Sequence, residues 1–134
     1  MSTPPSELKV ITSAKNLNSY LFKILDNAPK KFRGKIIARL EDNSLSLVEC
    51  LVRANTFPLD GNKRQDEQIE ASVMIKTIDM LTQLAMGMKC LTFHQGEVIG
   101  KMLGETSYLL QAWRKSDEKR RNQHDSSGTS LKKG

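Results

Sequence analysis

One stretch, residues 92–114, constrains the fold more than any other, because its apolar side chains repeat at helical spacing from end to end. It reads TFHQGEVIGKMLGETSYLLQAWR. Such a pattern is typical of a helix that buries one full face. Thr92 and Gln95 have the spacing of a capping box, which predicts where the helix begins. The expected inward residues are Val98, Ile99, Met102, Leu103, Thr106, Leu109, Leu110 and Trp113.

Three glycines follow one line beside this apolar face. Gly96, Gly100 and Gly104 recur at every fourth position, so they form a strip without side chains. Each glycine inside a helix costs about 1 kcal/mol relative to alanine, which suggests that another backbone packs closely here. We expect a second packing seam, within the protomer or between protomers of a homo-oligomer. The alternative is that these glycines are ordinary surface positions.

Apolar spacing predicts three further helices. The first begins at Ser6 as its cap and ends at Asn27 and Pro29. The second runs from about Lys30 to Asn55, and the third from about Gln65 to Cys90, with a loop over residues 57–62 between them. The expected inward residues are Ile11, Ala14, Leu17, Leu21, Ile24, Leu25, Ala28, Phe32, Ile36, Leu40, Leu47, Val48, Leu51, Ala54, Ile69, Val73, Ile78, Leu81, Leu84, Ala85 and Met88.

The connections between these helices set the fold class. The sequence contains no strand pattern, and its predicted helices are joined by two short turns and one moderate loop. Short connections make consecutive helices antiparallel neighbours. The sequence therefore predicts an all-α protein, an up-down-up-down antiparallel four-helix bundle over residues 6–120. Residues 1–5 are expected to be a disordered lead and residues 121–134 a disordered basic tail.

The charge balance favours anionic partners. Lysine and arginine number 21 against 15 acidic residues, which gives a formal net charge of +6. A basic surface attracts RNA, DNA or an RNA/DNA hybrid, acidic protein or lipid headgroups. No apolar run is long enough to cross a bilayer and the N-terminus lacks a signal-peptide pattern, so we expect a cytoplasmic protein without a membrane role. Cys50 and Cys90 are expected to be reduced thiols.

Two clusters of basic residues are candidates for binding nucleic acid. In the first, Lys31, Lys35 and Arg39 repeat every four residues along one side of the predicted second helix. If such side chains contact phosphates, binding depends on salt and only weakly on base sequence. The alternative is that they form solvated faces that keep the protein soluble. The candidates are Lys30, Lys31, Arg33, Lys35, Arg39, Arg114, Lys115, Lys119, Arg120 and Arg121.

Catalytic and metal-binding patterns are missing from the sequence. It has two histidines, and no nucleotide-binding, zinc-protease or catalytic-triad spacing occurs. Cys90 and His94 are four residues apart, but two ligands do not make a metal site. An enzyme would need a site assembled between protomers, from residues such as His94, Cys90 and Glu97. We therefore expect a protein without enzymatic activity, metal or cofactor.

Three segments resemble a known family. They are KKFRGKIIARL, KRQDEQIEASVMIKTIDML and, most specific, EVIGKMLGETSYLLQAWRK. Over about residues 8–120 the chain is similar to the bacterial four-helix-bundle family that includes the accessory variability determinant (Avd) of diversity-generating retroelements. Proteins encoded in intervening sequences of large-subunit ribosomal RNA genes belong to the same family.

The resemblance implies a homo-oligomer, in Avd a pentameric ring with a basic surface. It implies binding to the retroelement reverse transcriptase and its template RNA, in support of mutagenic reverse transcription. The family has no catalytic residues to carry over, and its binding side chains would correspond to the two basic clusters listed above. The alternative is a protein–protein interaction module of the intervening-sequence type, without a nucleic-acid role.

Overall fold

Four α-helices make up the chain in this computed structural model, which describes the backbone of residues 8–133 and the side chains of residues 8–123. No strand occurs over these residues. The predicted all-α class is confirmed, while the expected lead at residues 1–5 and the cap at Ser6 lie outside the described part. The helices are α1 (Lys9–Leu25), α2 (Ala38–Thr56), α3 (Lys63–Gly87) and α4 (Phe93–Lys133).

The first and last helices follow the predicted apolar pattern. In α1, Ile11, Ala14, Leu17, Leu21 and Leu25 are buried. In α4 the buried side chains are Ile99, Leu103, Thr106, Leu110 and Trp113.

The start and the end of α4 can each be compared with the helix predicted from the sequence. The predicted capping box is present: the Thr92 amide donates to Oε1 of Gln95 at 3.0 Å, and the Gln95 amide donates to Oγ1 of Thr92 at 3.0 Å. The backbone of α4 continues as a helix to Lys133. The bundle boundary at residue 120 and the disordered basic tail at residues 121–134 stay predictions.

The start of the second predicted helix is not α-helical. Lys30–Phe32 form a 3₁₀ turn and Arg33–Ile37 a π-helical turn, in which the amide of Ala38 donates to the carbonyl of Arg33. Two features weaken an α-helix here: Gly34 has a low helix propensity, and clustered cations oppose the helix dipole. The expectation of a continuous helix from Lys30 to Asn55 was therefore wrong over residues 30–37.

The third helix presents a different face to the core from the one predicted. Ile69, Val73 and Leu84 were expected to point inward, yet they are 43%, 50% and 52% exposed. Apolar residues occur on two opposite sides of this helix, and apolar spacing alone does not say which side is covered. The side that faces the core also carries buried polar groups, and consists of Arg64, Gln68, Ala71, Ile75, Ile78, Leu81, Thr82 and Ala85.

The loop between α2 and α3 was predicted correctly at residues 57–62. Thr56 ends α2 and Lys63 begins α3. Within the loop Gly61 has a φ of 90°, which glycine adopts without the steric cost that a side chain would add.

One core lies between the four helices, because α1 packs on α2, α2 on α3, α3 on α4, and α4 on α1. Two polar pairs cross this core. The hydroxyls of Ser13 and Thr106 lie 2.6 Å apart between α1 and α4. Nδ2 of Asn18 donates to Oγ of Ser44 at 2.8 Å between α1 and α2. The polar middle of α2 therefore finds a partner for Ser44, which is fully buried.

Candidate nucleic-acid interface

The first basic cluster lies on the segment that precedes and opens α2. Its apolar side chains Phe32, Ile36, Ile37 and Leu40 are buried and attach the segment to the core. Between them all five basic side chains are exposed: Lys30, Lys31, Arg33, Lys35 and Arg39. The local sequence thus alternates buried anchors with outward cations.

None of these five cations is neutralised within the described part of the chain. No carboxylate there lies within 4.0 Å of their charged nitrogens. Lys31 has a different contact, since its Nζ lies 5.1 Å from the centroid of the Phe32 ring. A cation over an aromatic face is attracted weakly and keeps its charge. The cluster therefore offers positive charge to an outside partner.

The predicted four-residue repeat does not lie on one regular helix. Lys31 belongs to the 3₁₀ turn, Lys35 to the π-helical turn and Arg39 to α2. A 3₁₀ helix has about 3.0 residues per turn against 3.6 in an α-helix, so the assumed spacing around one axis does not apply. The assumption that these three cations lie along one side of a regular α-helix was therefore wrong, although all three side chains are exposed.

The second basic cluster is partly engaged by the protein itself. Arg114 is half-buried and its Nη1 donates to Oε1 of Gln111 at 3.4 Å. Nη1 of Arg120 lies 3.6 Å from the Asp117 carboxylate, and Nε of Arg121 donates to the Leu59 carbonyl at 3.2 Å. The freely exposed members are Lys115 and Lys119.

Asp117 forms a buried network that was not predicted from the sequence. Its carboxylate is fully buried and accepts hydrogen bonds from Arg64 at 2.7 and 2.8 Å and from Gln68 at 2.8 Å. The Arg64 guanidinium also lies 5.0 Å from the Trp113 ring centroid. One signal was available: Asp117 follows Trp113 by four residues, which puts both on the inward face. This network fixes the start of α3 against α4.

The three glycines have different surroundings. A Cβ on Gly96 would collide with the Sδ atom of Met86, so this glycine packs against α3 of its own chain. Gly100 and Gly104 would carry a Cβ into open space. They line a groove of about 260 Å³ between α3 and α4, together with Ile75, Lys76, Asp79, Leu103 and Ser107.

An exposed apolar row runs along α3 on the side opposite the core. It consists of Ile69, Val73, Met80 and Leu84, which are 43%, 50%, 51% and 52% exposed. Isolated exposed apolar residues are common, but a row at helical spacing is characteristic of an interaction surface. We refer to these four residues as the α3 row.

The cysteines have the properties of unreactive thiols. Burial raises the pKa of Cys50 to about 12, and its hydrogen bond to the Glu67 carboxylate at 3.2 Å adds to the shift. Burial also raises the pKa of Cys90. Because the thiolate is the reactive form, both side chains are poor nucleophiles and poor metal ligands at neutral pH. Among the described residues no three His, Cys, Asp or Glu side chains are grouped as metal ligands.

A membrane-crossing helix is not found in the described part of the chain, where every helix is too short or too polar for that role. Comparison with known proteins gives no match to a family model and no match to a curated protein. Three features of the molecular surface can contact a partner: the cationic segment at residues 30–39, the glycine-lined groove and the α3 row.

Proposed function

We propose that this protein is a cytoplasmic, non-enzymatic adaptor that binds RNA through the cationic segment at residues 30–39 and assembles as a homo-oligomer. In the more specific form suggested by the family resemblance, it is an accessory subunit of a diversity-generating retroelement. It would then hold the reverse transcriptase and template RNA during mutagenic reverse transcription. The observation that carries the RNA-binding proposal is the set of five exposed cations that have no carboxylate partner among the described residues.

The position of these cations supports an anionic ligand. Lys35 and Arg39 lie around the start of α2, where the helix dipole disfavours positive charge. Glu41 is the one acidic residue in the first turn of α2. An RNA phosphate would compensate the charge of the segment, and point charges of this kind contact the backbone rather than the bases.

An up-down-up-down antiparallel arrangement is the topology we propose for the bundle. The turn after α1 and the turn after α3 line one shared cavity, as expected if both turns lie at the same end. The start of α3 meets a later part of α4 through Arg64 and Asp117. Both relationships are expected of helices that alternate in direction.

Self-association is supported by two neighbouring features on the outside of the molecule. The α3 row gives an apolar surface, and the groove beside Gly100 and Gly104 gives a place where a backbone could approach closely. We propose that protomers contact one another here. A ring of five protomers is implied by the family resemblance alone.

A charge-reversal experiment tests RNA binding. The test variant is Lys35→Glu/Arg39→Glu, and the control is Lys9→Glu/Lys101→Glu, which alters two exposed lysines elsewhere. Each replacement of a basic residue by glutamate lowers the net charge by two, so both variants have a formal net charge of +2 instead of +6. If the cationic segment is the site, the test variant loses RNA binding in a filter titration and the control retains it. Equal binding by both variants removes the segment from the site.

A salt titration measures how many phosphates are involved. With about five phosphate contacts, log affinity falls with log salt at a slope of about −4. A slope near zero would contradict phosphate binding through this cluster.

The second candidate function is a protein–protein interaction module without a nucleic-acid role. The α3 row is the observation that favours it, because four exposed apolar side chains suit a protein partner. Oligomerisation or partner binding without salt-sensitive RNA retention would support this function over the first.

A further inference from the structure

A cavity of about 480 Å³ lies at one end of the molecule, where the α1–α2 turn meets the α3–α4 turn. We call it the end pocket. Its apolar lining includes Ile24, Met86, Leu91 and Phe93. Its volume lies within the range of about 300–1,000 Å³ that is usual for small-ligand sites. The proposed function makes no use of it so far.

Phe93 gives the end pocket an open aromatic surface. The residue lines the cavity and is nevertheless 74% exposed. It is the first residue of α4 and directly follows Thr92, whose reciprocal hydrogen bonds with Gln95 fix this helix start. The ring is therefore carried on a defined backbone. An exposed phenyl ring beside a cavity is suited to stacking against a flat ligand.

Two amide side chains in the lining have hydrogen-bonding capacity to spare. Oε1 of Gln95 accepts from the Thr92 amide, while its Nε2 makes no hydrogen bond to any described residue. Nδ2 of Asn27 donates to the Lys23 carbonyl at 3.4 Å, and its Oδ1 makes none. One donor and one acceptor are thus available in the wall. Such a pair matches the edge of a nucleobase, which carries both kinds of group.

Lys89 supplies a positive charge and has an unusual backbone. Its φ is 65°, in the left-handed region where glycine is the usual residue after a helix end. The chain thus keeps a lysine in a conformation that is unfavourable for a side chain. Among the residues that line the end pocket there is no carboxylate to neutralise it. This charge is complementary to a phosphate.

We infer that the end pocket binds one unpaired nucleobase of an RNA strand. Phe93 stacks on the base, Asn27 and Gln95 bond to its edge, and Lys89 contacts the adjoining phosphate. The inference rests on the proposed RNA-binding function and adds a preference for single-stranded or frayed RNA. An apolar side chain of a protein partner would fit the cavity less well, because it would leave Lys89 and both amides without partners.

The test compares single-stranded with duplex RNA. The probes are a ten-nucleotide single-stranded RNA containing 2-aminopurine, whose fluorescence falls on stacking, and a blunt ten-base-pair RNA duplex. The full-length protein should raise the fluorescence of the first probe, because the bound base leaves the stack of neighbouring bases that quenches it. Because base–aromatic stacking contributes strongly to single-strand affinity, Phe93→Ala should weaken single-strand binding about tenfold and leave duplex binding unchanged. Tyr108→Ala is the matched control, since Tyr108 is 75% exposed and does not line the cavity.

A second variant separates binding from folding. Lys89→Gly removes the charge while relieving the unfavourable backbone conformation, so weaker single-strand binding by this variant is not a consequence of unfolding. We expect a loss of about threefold to tenfold for one phosphate contact.

The outcomes distinguish this inference from the function on which it rests. If the wild-type protein binds both RNAs and Phe93→Ala binds the single strand equally well, the end pocket is not a base site and the RNA-binding proposal stands. If Phe93→Ala loses self-association in sedimentation but keeps single-strand affinity, the cavity holds a segment of a second copy and the inference is overturned. If the wild-type protein binds neither RNA, both proposals fail.

Discussion

The Asp117 carboxylate accepts hydrogen bonds from both Nε and Nη2 of Arg64, at 2.7 and 2.8 Å, across the boundary between α3 and α4. Both residues are buried, at 0% and 9% exposure. A bidentate pair of this kind fixes orientation as well as position. It also makes the buried Arg64 charge dependent on Asp117, while without Arg64 the Asp117 carboxylate would keep only Gln68 and the more distant Arg120 as partners.

Asp117→Asn should therefore destabilise the protein strongly. The substitution keeps the shape of the side chain but leaves the Arg64 charge without a counter-ion, which costs about 3 to 5 kcal/mol in buried pairs. The measurement is the free energy of unfolding from urea titration. The neighbouring exposed residue provides the control, because Glu118→Gln should change stability by less than about 0.5 kcal/mol. A small effect of Asp117→Asn would mean that water reaches the pair.

Because the pKa of the Cys50 thiol is raised in the folded state, we expect the protein to lose stability at high pH. Its folded-state pKa is about 12, above its ordinary value of 9.0, so the folded state holds this proton more tightly than the unfolded state. The resulting stabilisation is fully present below pH 9 and is lost as the pH rises from 9 toward 12. Unfolding free energies measured between pH 8 and 10.5 should therefore fall more steeply for the wild type than for Cys50→Ala. Parallel curves would contradict a buried, protonated thiol.

Lys89→Gly should stabilise the fold even though it removes a side chain. A non-glycine residue in the left-handed region costs about 1–2 kcal/mol, and the greater freedom of glycine in the unfolded chain offsets part of this gain. We expect a net increase of about 0.5–1 kcal/mol in thermal or urea unfolding. Lys89→Ala should give no increase, because alanine meets the same steric conflict at a φ of 65°. Equal stability of the two variants would contradict this explanation.

The α3 row should control self-association. Val73→Lys/Met80→Lys places two charges on the proposed contact surface and should shift the protein to a monomer in sedimentation velocity, with its helical content unchanged. The control is Leu45→Lys/Val52→Lys, which alters two side chains of similar exposure, 44% and 46%, on α2. A wild-type monomer, or equal dissociation by both variants, would contradict the assignment of this surface.

Parts of the fold could be predicted from sequence because they depend on local signals. Thr92 and Gln95 form their capping box within four residues, and the apolar faces of α1 and α4 each lie on a single side of the helix. The loop at residues 57–62 follows from Pro58 and Gly61. In each case the deciding interaction joins residues that are close in the chain.

The missed features depend on contacts between distant residues or on competing local preferences. The face that α3 buries is decided by its neighbours, because Ile69 and Ile78 are equally apolar and only one of them meets the core. The partnership of Arg64 with Asp117 spans a separation of 53 residues. At residues 30–37 two features together disfavour an α-helix, and the spacing of apolar residues does not reveal them. For the candidate site, the sequence identified the cations but not which of them the protein itself engages.

Two polar pairs in the core, Ser13 with Thr106 and Asn18 with Ser44, have a consequence for how α1 can move. If α1 slid by one turn, about 5.4 Å, both pairs would separate together, and the Ser13 hydroxyl and the Asn18 amide would lose these hydrogen-bond partners. Apolar neighbours tolerate such sliding more readily, because a leucine one turn away offers a similar surface. The axial position of α1 relative to α2 and α4 is therefore set by a few small polar groups. Ligands could bind to the outer surface without changing that alignment.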